Sequence, residues 1–156
     1  MTQYPVSRFN GDYRAALARV IGDSGLICGT HDTARRAAKA GLSVFMYNFN
    51  MPWAIDPSAL GACHASEISH VFGDPYQPSA DDTTVSDAMN GFWAQFAKAG
   101  DPNTSGGKHT WPAFAPDASD NDERLQLDAG FEVLMDFRKP ECAFWRQQYD
   151  AAFAAP

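Results

Sequence analysis

Residues 61–73 read GACHASEISHVFG and set a histidine, His64, three positions ahead of a glutamate, Glu67. An imidazole titrates close to neutral pH and can take a proton from an alcohol, a thiol or water within hydrogen-bond reach. That chemistry needs a nucleophile on one side of the ring and an orienting acid on the other. The chain offers two nucleophiles, Ser24 in GDSG and Cys63 beside His64. Side chains adjacent in an extended loop point apart, so Cys63 is badly aimed for its neighbour. A lone histidine among small residues is more often structural than catalytic, and sequence alone does not bring Ser24 to it.

The GDSG string echoes GDSGGP of serine proteases and the GDSL hydrolases and matches neither, because Leu26 stands where the second glycine belongs. Leu26 also occupies the last position of a G-x-S-x-G nucleophile elbow. Ser24 therefore reads as a turn residue, and a small hydrolase built on Ser24 and His64 is the weakest enzymatic reading. Metal chemistry has less support. His64 and His70 are six apart and fall on different faces of a helix, and His31–Asp32 lacks a third ligand nearby, so these read as surface or capping groups. No metal or cofactor is expected. Arg35, Arg36 and Lys39 read as a solvated helix face near a C-terminus, where cations are favoured.

The elements that hold these groups must come from one ordinary domain's worth of chain. The protein has 156 residues, 45% of them hydrophobic, with four Trp, five Tyr and eleven Phe, enough for a packed core. Its formal net charge of −7 opposes binding to phosphate backbones, and no basic patch is interleaved with aromatics. Nucleic acid is excluded as a partner, and no apolar run is long enough to span a bilayer. The N-terminal stretch has no apolar h-region. Residues 12–20 carry a short helical rhythm and GDSG breaks it. Residues 31–40 are rich in helix formers, and Gly41 stops them. Residues 42–50, LSVFMYNFN, form a strand buried on both faces, as in a parallel sheet. An irregular stretch with two prolines follows. One or two helical turns cover 65–72, and a proline-rich loop covers 74–80. Asp81 or Asp82 caps a helix running through Lys98, with Val85, Met89, Phe92, Trp93 and Phe96 as its core face. RLQLD and FEVLMDF make a hairpin at Ala129–Gly130. Pro140 opens a last helix whose bulky members are Cys142, Phe144, Trp145, Tyr149 and Phe153. No repeat or long linker divides the chain.

In order along the chain, these segments resemble the C-terminal third of the type-B carboxylesterases, the family of cholinesterases and bacterial p-nitrobenzyl esterases. GD followed by LIC at 22–28 resembles GD-x-x-F-x-C-P. VFMYNF at 44–49 resembles the vYxYxF strand, and GACHASEISHVFG resembles GAxHxxELxYVFG. FWAQFAKAGDPN at 92–103, WPAF at 111–114 and CAFW at 142–145 resemble three further motifs of the family. Gly29 replaces the proline after the cysteine, Ala65 a glycine after the histidine, Ile68 a leucine and His70 an aromatic residue.

The resemblance implies an α/β fold: the last strands of a mixed α/β-hydrolase sheet with flanking helices and a C-terminal helix, residues 1–156 being a C-terminal segment. It implies that His64 is the general base of a Ser–Glu/Asp–His ester hydrolase. It places Glu67 as a buried hydrogen-bonding support of the loop behind His64, since one turn from the ring is a poor place from which to orient it. It pairs Cys28 with Cys142 in a disulfide, leaving Cys63 free and implying an oxidising compartment. The nucleophile and acid belong upstream of this chain, which is expected to be inactive alone. An isolated piece would expose a strand edge and an apolar face. Its expected partners are the N-terminal Ser- and acid-bearing part of the esterase, or a second copy through that edge and the final helix, with a small ester as substrate. The competing reading is a non-catalytic interaction or binding module.

Overall fold

The computed structural model describes residues 3–56, 60–115 and 122–153, with the side chain of Phe153 outside the described set. Part of the irregular 51–60 stretch, at 57–59, also falls outside it. Helix α1, Tyr13–Gly22, begins at Asp12, whose carboxylate accepts the amides of Arg14 and Ala15 at 2.8 and 3.2 Å. It does not stop at GDSG. A single π-helical turn, Asp23–Ile27, carries the chain straight into helix α2, Cys28–Lys39. Two glycines cost a helix about 1 kcal/mol each, but local propensity loses here to a buried polar cluster. Tyr4 donates to the Asp23 carboxylate at 3.0 Å and accepts from the Trp145 indole at 2.8 Å. Helix α2 ends as its sequence says. Gly41 takes φ +83°, and the amides of Gly41 and Leu42 return to the carbonyls of Ala38 and Ala37.

The extended segment after Gly41 alternates as a strand should. Val44 and Met46 pack with Ala34 and Ala38 of α2 and with Phe114. Phe45, Tyr47 and Phe49 pack on the opposite face, against the helix Ala80–Ala99. Only Tyr47–Phe49, strand β1, is laddered. The expected nine-residue strand is shorter because the Val44 carbonyl accepts the loop amide of Phe114, while β2 first reaches the segment where its Leu125 amide meets the Met46 carbonyl, which the Trp111 indole shares.

After one turn of helix, α3 (Ile68–Val71), comes the long helix α4, Ala80–Ala99. Its N-cap is Ser79, not Asp81 or Asp82. Asp82 is the reciprocal member of a capping box, accepting the Ser79 amide at 2.9 Å while Ser79 Oγ accepts the Asp82 amide at 3.1 Å. Val85, Met89 and Phe92 are buried as expected, but Phe96 is 44% exposed and belongs to a rim rather than the core.

Strands β2, Glu123–Leu127, and β3, Val133–Met135, form the expected antiparallel hairpin. The order is β1–β2–β3, with β1 parallel to β2 and Tyr47 opposite Leu125. Leu125 and Leu127 lie under Met89, Val85 and Trp111 in the main core. Helix α5, Lys139–Phe153, returns to the π turn and α2 and is joined to α2 by the Cys28–Cys142 disulfide.

Candidate functional site

The chain leaves β1 and turns back so that the Trp53 amide reaches the Gly61 carbonyl at 2.8 Å. A tight turn follows at once. The amide and hydroxyl of Ser66 both donate to the Cys63 carbonyl, at 3.1 and 2.7 Å, which places His64 and Ala65 at its two central positions. Ala65 has φ +70°, the left-handed conformation that the third residue of a type II turn demands and that normally selects glycine. The turn presents His64 to solvent, and among the described residues its ring has no hydrogen-bond or ion-pair partner.

The far side of the turn is pinned to α4. His70 is buried rather than a surface group. Its Nε2 lies 3.1 Å from Asp82 Oδ1, its carbonyl accepts Ser86 Oγ at 2.8 Å, and its ring meets the Phe49 ring edge-on at 5.0 Å. Asn90 Nδ2 donates to the Val71 carbonyl at 3.2 Å. Burial alone would raise Asp82; the Ser79 hydroxyl and amide and His70 outweigh it and hold the carboxyl below its ordinary value. Glu67 is half-buried. Burial, then the nearby Glu67 carboxylate, push the Tyr47 phenol up to about 12. Its ring is wedged against Trp93 and Trp111 with centroids 5.3 and 5.9 Å away.

The other sequence-derived candidates lie elsewhere. Ser24 sits in the π turn with Oγ on the Ile21 carbonyl at 3.3 Å and its own carbonyl accepting Tyr149 OH. Its hydrogen bonds tie it to the helical corner, and no contact at the His64 turn is seen among the described residues. Cys63 is a free thiol, and Cys28 is bonded to Cys142. His31 is buried, not exposed, 3.5 Å from Asp122, which pairs with buried Arg124. Arg35 and Arg36 do not form a free solvated face. Both bond Asp32, at 2.9 and 2.6 Å, and Arg36 also reaches Asp150 of α5 at 3.0 Å. Asn103-Thr104-Ser105 has the form of a glycosylation sequon, but Asn103 uses both ends of its amide to hold the Trp111 backbone, at 2.9 and 2.7 Å.

Sequence reasoning missed the Tyr4–Asp23–Trp145 chain. The available signal was chemical: a tyrosine or tryptophan in a core needs a partner for its polar atom. It also missed an apolar groove of about 190 Å³ beside β1, lined by Phe45, Tyr47, Trp93, Phe96 and Trp111. No strand pairs with the outer edge of β1 among the described residues. Among those residues no three His, Cys, Asp or Glu side chains are placed to share a metal, and no helix is long and apolar enough to cross a membrane.

The sequence model of the Carboxylesterase family matches residues 2–145. Cholinesterase of Mus musculus is 33% identical over 145 residues, covering 86% of this chain and 23% of that protein. Acetylcholinesterase of Gallus gallus is 32% identical over 145 residues, covering 85% of this chain and 18% of that protein. The chain spans about a fifth of the length of these curated relatives.

Proposed function

The chain belongs to the carboxylesterase family, and from that premise we propose that it is the histidine-bearing, C-terminal part of a carboxylic ester hydrolase, with His64 as general base. Its helices and small mixed sheet are a partial α/β-hydrolase fold. In this reading His64 takes the proton of a serine supplied from outside the described elements and attack on an ester carbonyl follows. The imidazolium then protonates the leaving alcohol, and the freed base activates water to release the acid. The serine and the acid that orients His64 come from the N-terminal part of such an enzyme, so the chain alone is inert toward small esters. That part is the proposed partner, docking along the outer edge of β1 and the apolar groove beside it; a second copy joined there and at α5 is the alternative. The Cys28–Cys142 bridge supports an oxidising compartment.

One observation carries this reading. His64 is held by a defined turn, in a conformation ill suited to alanine, yet its ring is exposed with no partner among the described residues. An exposed ring on a defined turn is open to a serine and an orienting acid brought by a partner. The test is complementation. The chain is expressed alone and together with the Ser- and acid-bearing N-terminal part of a relative, and p-nitrophenyl ester hydrolysis is measured. Turnover that appears only in the pair and is lost with His64→Ala is expected. A folded pair without turnover favours a non-catalytic interaction module instead. Labelling of Ser24 by a fluorophosphonate would overturn the assignment of the nucleophile to the partner.

A further inference from the structure

We propose that a small cavity lined by Ser66 and His70 binds one ordered water molecule, which donates a hydrogen bond to Nδ1 of His70 and completes a buried chain Asp82–His70–water. The proposal stands apart from the ester-hydrolase reading and needs no second polypeptide.

His70 is only 7% exposed, and its two ring nitrogens are unequally served. Nε2 lies 3.1 Å from Asp82 Oδ1, whereas the buried Nδ1 has no hydrogen-bond partner among the described residues. A buried polar atom of this kind is nearly always met by protein or by water. The ring lines a cavity of about 10 Å³, room for about one water and too little for an organic ligand. Ser66, Ser69 and Asp82 share its wall with His70, and Phe49 and Trp53 supply apolar parts of it. A water held in such a place needs two or more polar partners, and this wall offers them.

The direction of the bond follows from the other end of the ring. Asp82 is held below its ordinary value, so at neutral pH its carboxylate only accepts and Nε2 is the donor between them. In a neutral imidazole Nδ1 is then an acceptor and calls for a donor. Ser66 is not that donor, because its hydroxyl already gives its proton to the Cys63 carbonyl at 2.7 Å. Its oxygen keeps lone pairs for the second hydrogen of the water.

The site joins the segments that hold the candidate base. Ser66 closes the His64 turn, His70 belongs to α3, and Asp82 is part of the capping box of α4. Trp53 lies on the chain leaving β1, its amide bonded to the Gly61 carbonyl. The imidazole stands where the family resemblance has an aromatic residue. A phenylalanine there would bring no ring nitrogen and need no water, so the departure is explained by what the ring binds.

The experiment uses the 156-residue chain with 13C,15N-labelled histidine at about pH 8.5, above the ordinary imidazole range. Through-bond correlation to the backbone assigns each ring, and long-range 1H–15N spectra locate its proton. His70 should carry that proton on Nε2, with Nδ1 displaced from the free imine position toward that of a hydrogen-bond acceptor. Its Cε1 proton should show an Overhauser contact to water, with the sign given by a slowly exchanging, buried molecule. Ser69→Ala tests the competing donor, a serine hydroxyl turned toward the ring, and should keep the acceptor shift and the water contact together. A proton on Nδ1, an Nδ1 at the free position, or a wild type without the water contact overturns the proposal. So does a Ser69→Ala chain that loses the acceptor shift while keeping the water contact. None of these outcomes depends on ester turnover, so a failure of complementation leaves the water site standing, and the reverse.

Discussion

The helical corner formed by α1, the π turn, α2 and α5 is tied to itself, whereas the sheet side with the His64 turn is not. In the corner, Tyr4 links Asp23 to Trp145, Arg8 reaches Glu141 at 2.9 Å, Arg36 bridges Asp32 and Asp150, and a disulfide joins α2 to α5. Of its exposed apolar residues, Tyr13, Leu17 and Ile21 form one outer row along α1, and Leu26 stands on the π turn. On the sheet side the polar bonds tie α3 to α4, while among the described residues the outer edge of β1, the aromatic groove and the His64 ring stay open. Cross-links gather where the chain is self-sufficient, and open chemistry gathers where the proposed partner would sit.

The comparison predicts that the largest single loss of stability comes from the corner. Replacing Cys28 and Cys142 together by alanine opens a loop of 114 residues, and the loop-entropy relation gives a loss of about 4–5 kcal/mol. Urea midpoints of wild type and variant measure it, and hydrogen exchange should rise first in α2 and α5. If exchange rises equally in β2 and α4, the two regions are one cooperative unit and the distinction fails. The corresponding core change on the sheet side, Met89→Ala, removes a fully buried side chain over Leu125 and Leu127. It should cost about 2–4 kcal/mol, seen in the same denaturation, with exchange rising in β2 first.

The two regions also differ in how far the sequence disclosed them. The α4 core face and the hairpin were legible because hydrophobic period and turn residues agree with the tertiary structure there. The disulfide, and the general-base role proposed for His64, came from family resemblance rather than spacing. The helix break at GDSG failed because the burial of Asp23 against Tyr4 and Trp145, residues 19 and 122 positions away in sequence, overrides two glycines. The length of β1 was overestimated because a strand needs a neighbour. Residues 44–47 and Phe49 pack alternately on two faces, but the ladder extends only as far as β2 runs beside it. Ser79 was missed as a cap because two aspartates follow it, and only the geometry shows that Asp82 faces backward.

Two carboxylates, Asp82 partly buried and Asp23 fully buried, sharpen the contrast through pH. Asp82, on the sheet side, is held below its ordinary value in the folded state. Its contribution is therefore complete above the unfolded carboxyl range near 4 and lost as pH falls through the folded value. Asp23, in the corner, is raised by burial despite the Tyr4 hydrogen bond that lowers it. The folded state holds that proton more tightly, so its cost appears as pH climbs past the unfolded value and disappears in acid. Asp82→Asn should destabilise by about 1 kcal/mol at pH 7, the scale of a lost helix cap, with the gap to wild type closing in acid. Asp23→Asn should show a smaller gap at pH 7 that widens in acid. Thermal unfolding between pH 3 and 7 measures both, and slopes of the same sign would contradict the assignment.

The smallest effect falls on the His64 turn itself. Ala65 holds φ +70°, a conformation that costs a residue with a Cβ about 1–2 kcal/mol. Glycine removes that strain but gives back about 0.5–1 kcal/mol through the greater freedom of the unfolded chain. Ala65→Gly should therefore stabilise the protein by up to about 1 kcal/mol, read as a small rise in urea midpoint. The sign matters more than the size. A gain shows that the turn is imposed on Ala65 by its surroundings, by the Ser66–Cys63 bonds before it and by α3 docked on α4 after it. A loss would mean that the alanine relaxes into another conformation in solution, and the presentation of His64 by a fixed turn would fall with it.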